Sequence, residues 1–149
     1  MNVSDLSNPF VAVVQRATPL TDAARLMRER HVGSLVVVDE TGQGRVPVGI
    51  LTDRDIVVAV VAREVDARTL TAGDVMSTDL ATVRPTDAAI DALELMRRRG
   101  VRRVPVVAEN GTLAGIVAVD DVLAAVAEQL GDVVRAITAE QARETRTRT

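Results

Sequence analysis

The groups best placed for chemistry in this chain are a hydroxyl and a carboxylate set three positions apart in Thr52-Asp53-Arg54-Asp55, and the arginines that follow Met96. A carboxylate accepts hydrogen bonds from two neighbouring hydroxyls at once, and a hydroxyl three residues earlier shares its strand-to-helix corner. The same tetrad also reads as a helix cap, because Thr or Asp ahead of an apolar helix is the ordinary start signal. Arg102 and Arg103 close a basic run that begins at Arg97. Arg97, Arg98 and Arg99 read more simply as a solvated helix end, where positive charge meets the negative end of the helix dipole. Asp120 and Asp121 are adjacent, so on a helix they point in different directions and do not form an acid–base pair.

Missing residue types remove most other chemistry. Among 149 residues there is no Cys, no Trp, no Tyr, one Phe and one His. Thiolate metal clusters, cysteine nucleophiles and disulfide scaffolds are excluded, and a metal site or triad would rest on His31 alone. His31 is read as a helix C-terminal residue rather than a ligand. All 18 cations are arginine, which removes Schiff-base lysines and the Walker phosphate loop. The formal charge of −3 and the single aromatic, Phe10, argue against nucleic-acid binding through a basic groove or base stacking. No basic-plus-apolar leader opens the chain, and the longest apolar run, Ile56 to Ala62, is far shorter than the roughly 20 residues of a bilayer span. The expectation is a cytoplasmic protein without enzymatic activity.

These groups are positioned by an internal repeat. Placing LTDAARLMRERHVGSLVVV over AIDALELMRRRGVRRVPVV, with Met27 opposite Met96, gives an offset of 69 that also carries Ser4-Asp5-Leu6 onto Gly73-Asp74-Val75. Leu20, Ala23, Ala24 and Met27 fall on Ala89, Ala92, Leu93 and Met96, the same amphipathic helix face twice, with both methionines in the core. GILTDRDIV from Gly49 matches GIVAVDDVL from Gly115 at an offset of 66, the difference lying in the turn DETGQGRVP against AENGTL. Each copy predicts a strand, a helix, two strands and a helix. In the first copy these are Val11–Val14, Leu20–Arg30, Leu35–Val38, Val48–Leu51 and Arg54–Arg63. In the second they are Ala81–Val83, Asp87–Arg99, Val104–Val107, Leu113–Val117 and Asp120–Gln129. Thr18 with Pro19, and Thr86 or Asp87, are the expected helix starts. The fold class is α/β (α+β): two tandem βαββα repeats, residues 1–68 and 69–131, packed sheet to sheet because one copy alone buries too little. Residues 132–149 are expected to form a short helix and then a disordered tail.

The layout, with GxhhTxxD closing the third strand, resembles the CBS domain, named for cystathionine β-synthase. The resemblance is carried by Asp74-Val75-Met76, His31-Val32-Gly33-Ser34-Leu35, Gly49-Ile50-Leu51-Thr52-Asp53-Arg54-Asp55-Ile56, Gly100-Val101-Arg102-Arg103-Val104-Pro105 and Gly115-Ile116-Val117, and covers nearly the whole chain except the tail. It implies a regulatory module binding AMP, ADP, ATP or S-adenosylmethionine between the repeats, with no catalytic residues, no metal and no tightly held cofactor.

Transferred residue by residue, the resemblance implies two unequal clefts. The first joins Thr52, Arg54 and Asp55 to Met76, Ala81, Val101, Arg102 and Arg103: a ribose pair, an aliphatic floor and phosphate contacts. The second joins Asp121 to Ser7, Ala12, Val32, Gly33 and Ser34, but Ala118 stands where the hydroxyl belongs. One missing hydrogen bond of about 0.5–1.5 kcal/mol lowers affinity roughly three- to tenfold. The leading reading is an adenosine-ligand sensor, a homodimer joined through helices, that signals to an effector protein. The alternative is a ligand-free dimerisation adaptor for an enzyme or transporter.

Overall fold

The computed structural model describes residues 1–148. A three-stranded sheet, in the order β1 (Val13–Val14), β2 (Ser34–Thr41), β3 (Gly44–Thr52), belongs to the first repeat, with helix α2 (Leu20–Arg30) packed on it. The second repeat pairs β4 (Arg103–Val107) with β5 (Leu113–Ala118) and places α5 (Ala89–Arg99) against them. Short helices α1 (Val3–Leu6) and α4 (Ala72–Val75) precede the two repeats, α3 (Asp53–Ile56) follows β3, and α6 (Val119–Thr147) follows β5.

The order of the longer elements follows the sequence reading apart from the second repeat's first strand, and α2 has the predicted bounds. Its apolar face buries Leu20, Ala23 and Met27; the matched face of α5 buries Ala89, Ala92 and Met96. Each helix closes on a left-handed residue at the matched position, His31 with φ 55° and Gly100 with φ 65°. β2 is buried from Leu35 to Val38, as an apolar run covered on both faces requires.

Several boundaries differ for physical reasons. The segment expected as a loop between β2 and β3 is largely strand: Asp39 pairs with Val46, and Thr41 with Gly44. β1 is two residues long, and its counterpart at Ala81–Val83 is a single parallel bridge between Val83 and Val106. Pro105, between the second repeat's partners, offers a carbonyl to Val83 but has no N–H to return. After α3 the run Val57–Val61 winds as a π-helix, with the Ala62 N–H bonded to the Val57 carbonyl, and Glu64 at φ 55° follows.

Neither expected side-chain cap forms. Pro19 and Ala88, both extended, occupy the cap positions, while the Thr18 hydroxyl accepts from the Gln15 N–H and Asp87 accepts from the Arg84 N–H. The first amide of each helix is satisfied from a distance: Leu20 N–H donates to the Leu70 carbonyl, and Ala89 N–H to the Met1 carbonyl. These partners are also 69 positions apart.

That pairing shows an exchange of edges. Val3 is fully buried in the second repeat's core with Val83, Met96, Val104, Val106 and Val117. Ala72 is fully buried in the first repeat's core with Leu20, Leu35, Val37 and Leu51. Each repeat's core is therefore completed by the segment that leads into the other.

The tail also departs from expectation. Residues 132–147 continue α6 rather than fraying after a short helix, and the ion pairs Asp132–Arg135 and Glu144–Arg148 each join side chains one turn apart. Alanine, glutamate, glutamine and arginine are good helix formers, so the lack of apolar residues near the end does not stop the helix.

Val3→Ala removes two methyl groups from a fully buried site that belongs to the distant repeat. The expected result is about 2–3 kcal/mol of destabilisation by denaturant titration. Hydrogen exchange is expected to lose protection first in β4 and β5, not in β2 and β3.

Candidate functional site

Two corners matter, and each is built by a strand running into a helix. At the first, the Thr52 hydroxyl accepts from the Asp55 N–H at 3.1 Å, and Asp55 Oδ2 accepts from the Thr52 N–H at 2.9 Å. This reciprocal cap fixes both side chains, which are half-buried, and occupies only one carboxylate oxygen. Among the described residues Asp55 Oδ1 has no partner, so the cap and the binding reading do not compete. Ser34 lies beside Thr52 in the strand register, and Gly33 accepts from the Asp53 N–H through its carbonyl. Arg54 is exposed.

At the second corner the geometry is repeated with one atom missing. Asp121 Oδ2 accepts from the Ala118 N–H at 2.9 Å, but Ala118 has no hydroxyl to accept from Asp121. Arg103 lies beside Ala118, and the Arg102 carbonyl accepts from the Val119 N–H.

Segments from the opposite repeat cross the strands that lead to both corners. Ser77 exchanges two backbone hydrogen bonds with Ile50 at 2.8 and 3.0 Å, and Asn8 exchanges two with Ile116 at the same distances. Glycine permits the approach. A Cβ on Gly49 would meet Met76 Sδ at 2.6 Å and the Ser77 carbonyl at 2.8 Å; on Gly115 it would meet the Asn8 carbonyl at 2.9 Å.

Met76 is thus brought against the strand that ends at Thr52, and Ser7 against the strand that ends at Ala118. From Met76 the chain runs through half-buried Ala81, which packs on the second core. From Ser7 it runs to Ala12, whose carbonyl accepts from the Val36 N–H. Val32 and Val101, at matched positions, stay 36% and 40% exposed.

Two of the arginines find carboxylate partners within their own repeat. Arg102 pairs with Asp120 at 3.1 Å within its own repeat, with both side chains well exposed. Among the described residues neither Arg102 nor Arg103 bonds to Thr52 or Asp55. Arg99, read as part of a solvated helix end, instead donates to Asp79 Oδ1 at 2.7 Å and to the Asp79 carbonyl at 3.2 Å. This contact ties the crossing segment after Met76 to the end of α5. Phe10 stands at the position matching Asp79 and is 87% exposed. Sequence reasoning passed over Asn8, Ser77 and Asp79, although the 69-residue offset that aligns Asn8 with Ser77 was available.

Two open grooves lie elsewhere, at the β1–β2 edge of the first repeat. The one of about 490 Å³ is lined by Gln15, Thr18, Arg25, Glu29 and Arg45 among others; the other, of about 550 Å³, is lined by Gln15, Arg16, Val38 and Asp39 among others. Neither holds Thr52 or Asp55. Beside them the Arg16 guanidinium hydrogen-bonds Asp39 at 2.9 and 3.1 Å and holds its carboxyl below the usual range. In Asp66 the same is done by hydrogen bonds from the Arg68 side chain and N–H. Among the described residues no three metal-ligating side chains cluster, and no helix is long and apolar enough to cross a membrane.

A model of the CBS domain matches residues 3–62 and 72–128. An uncharacterized protein of Methanopyrus kandleri is 39% identical over 123 residues, covering 83% of this chain, which spans only 61% of that relative. The CBS domain-containing protein YhcV of Bacillus subtilis is 39% identical over 120 residues, 80% of this chain and 81% of that one. Among solved structures, Hypoxic Response Protein I with two coordinated zinc ions is 34% identical with a TM-score of 0.72, over 83% of this chain and 97% of that one. The cytosolic domain of the Mg²⁺ channel MgtE in complex with ATP is 28% identical with a TM-score of 0.70, over 83% of this chain and 48% of that one.

Two measurements follow from this geometry. Ala118→Thr is expected to restore the missing acceptor for the Asp121 N–H and raise stability by about 1 kcal/mol, read as an increase in Tm. For Asp39, a lowered folded-state pKa means stability present above the unfolded carboxyl's pKa and lost as pH falls through the folded one. Asp39→Asn is expected to flatten that acid-side slope in a Tm-against-pH series.

Proposed function

The chain belongs to the CBS domain family, and on that premise we propose that it is a non-enzymatic regulatory module whose first cleft takes an adenosine-containing ligand: AMP, ADP, ATP or S-adenosylmethionine. The observation that carries the reading is Asp55, half-buried, oriented by its bond to the Thr52 N–H and left with one carboxylate oxygen for ribose hydroxyls. Met76, Ala81 and Val101 supply an aliphatic surface for the base. Arg54, Arg102 and Arg103 supply positive charge for phosphate, Arg102 after leaving its exposed pair with Asp120.

An exposed ion pair of this kind contributes only about 0–1 kcal/mol, so a phosphate competes with Asp120 at little cost. The ligand bridges groups from both repeats and so favours one relative arrangement of them, by no more than its difference in affinity for the two. In this reading the chain is a homodimer and hands that change to an effector protein in the cytoplasm.

The second cleft, with Asp121, Ser7, Ala12, Val32, Gly33 and Ser34, is proposed as the weaker site because Ala118 removes one acceptor. The same substitution favours the second reading, a dimerisation adaptor that takes no small ligand. Calorimetric titration with each of the four ligands separates the readings. Under the first, at least one binds, and Asp55→Ala weakens it roughly ten- to a hundredfold, the loss of a hydrogen bond to a charged group. Absence of heat and of thermal shift at millimolar ligand overturns it.

A further inference from the structure

The helix α6 outruns the fold that supports it. Its 29 residues extend about 44 Å at 1.5 Å per residue, yet Val122 is its only buried residue. Beyond Val122 an apolar stripe of Leu123, Val126, Leu130, Val133, Val134 and Ile137 stands between 41% and 67% exposed. The spacing 123, 126, 130, 133, 137 alternates steps of three and four, the seam of a two-helix coiled coil.

Among the described residues nothing covers that seam, and the stretch mixes good helix formers with weaker ones. It carries β-branched residues at Val126, Val133, Val134, Ile137 and Thr138, and a glycine at Gly131. Helices of this length draw most of their stability from packing of an apolar face.

We propose that the stripe on α6 pairs antiparallel with the same stripe of a second copy of this chain. Three observations select that occupant and orientation. First, the seam is self-complementary: about an axis between Gly131 and Asp132, Val126 faces Ile137 and Leu130 faces Val133, each twice, as a two-fold interface requires. Secondly, the charge is polarised along the helix. Residues 119–132 hold four acids and no base, whereas residues 133–148 hold four arginines against two glutamates. Antiparallel pairing sets the acidic half of one helix beside the basic half of the other and opposes their dipoles; parallel pairing sets like beside like. Thirdly, the positions flanking the central layers are uncharged, Ala127 and Val134 on one side and Gln129 and Ala136 on the other, so the central layers bury no ion, and the charge in the seam, Glu140 opposite Leu123, falls in the outermost layer.

The surface is large enough. Six side chains of this kind, each presenting on the order of 100 Å², reach about 1,000 Å² between two copies, the threshold for a specific interface. The seam specifies how the proposed homodimer is joined, and rests on that part of the reading above, while being independent of ligand binding.

Sedimentation at tens of micromolar tests it on the full chain. The wild type is expected as a dimer of the 15.9 kDa chain, and L130E/V133E as a monomer with its globular-core protection in hydrogen exchange unchanged. Both substituted positions are exposed, so the core does not depend on them. Because the chain has no cysteine, orientation is read by oxidation: co-refolded L130C and V133C chains are expected to cross-link with each other, and L130C alone not to. A monomeric wild type overturns the seam and the homodimer together. A dimer that persists in L130E/V133E overturns the seam and leaves the homodimer standing. Cross-linking in L130C alone overturns the antiparallel arrangement.

Discussion

The structure depends on two backbone crossings, Ile50 with Ser77 and Ile116 with Asn8. At each, two peptides from different repeats exchange hydrogen bonds at 2.8–3.0 Å. A side chain at the preceding strand position, Gly49 or Gly115, would hold them apart. Each crossing satisfies two N–H and two carbonyl groups and so fixes where the lead segments lie. Everything that could bind a ligand hangs from them: Thr52 and Asp55 are two and five residues beyond Ile50, Ala118 and Asp121 two and five beyond Ile116.

The crossings also explain why the two repeats form one unit. Val3 leaves the first repeat's sequence to fill the second core, and Ala72 does the reverse. A repeat cut out at its sequence boundary would lose a buried side chain, the carbonyl that satisfies its first long helix and two strand-like bridges. The two cores are coupled by this sharing, since neither is complete unless the other's lead segment is in place.

The symmetry so established makes the departures from it informative. Thr52 is matched by Ala118, which weakens the cap and the proposed site at the same position. Asp79, tied by Arg99, is matched by exposed Phe10, so one crossing segment is latched to a helix end and the other is not. At the chain's end the divergence is larger. After the corner, the first repeat's helix passes into a π-helical turn by Val57, while the second repeat's helix continues to Thr147.

Local pattern was sufficient for much of this. The periodic faces of α2 and α5, the apolar run of β2 and the corner tetrad all follow from spacing and residue type, because burial on one face and a short-range cap are decided within a few residues. So is the absence of Lys and Cys, with the chemistry it removes. The remainder required the folded chain. Helix starts at Leu20 and Ala89 are set by carbonyls about fifty and ninety residues away, which no local capping rule contains. The β2–β3 hairpin extends through Gly- and Gln-containing sequence because the opposite strand was there to pair. Arg102 and Arg99 carry the same charge in the sequence; only their surroundings in space assign one to Asp120 and the other to Asp79. Residue types determined which interactions were available to this protein, and tertiary structure decided which partners were close enough to make them.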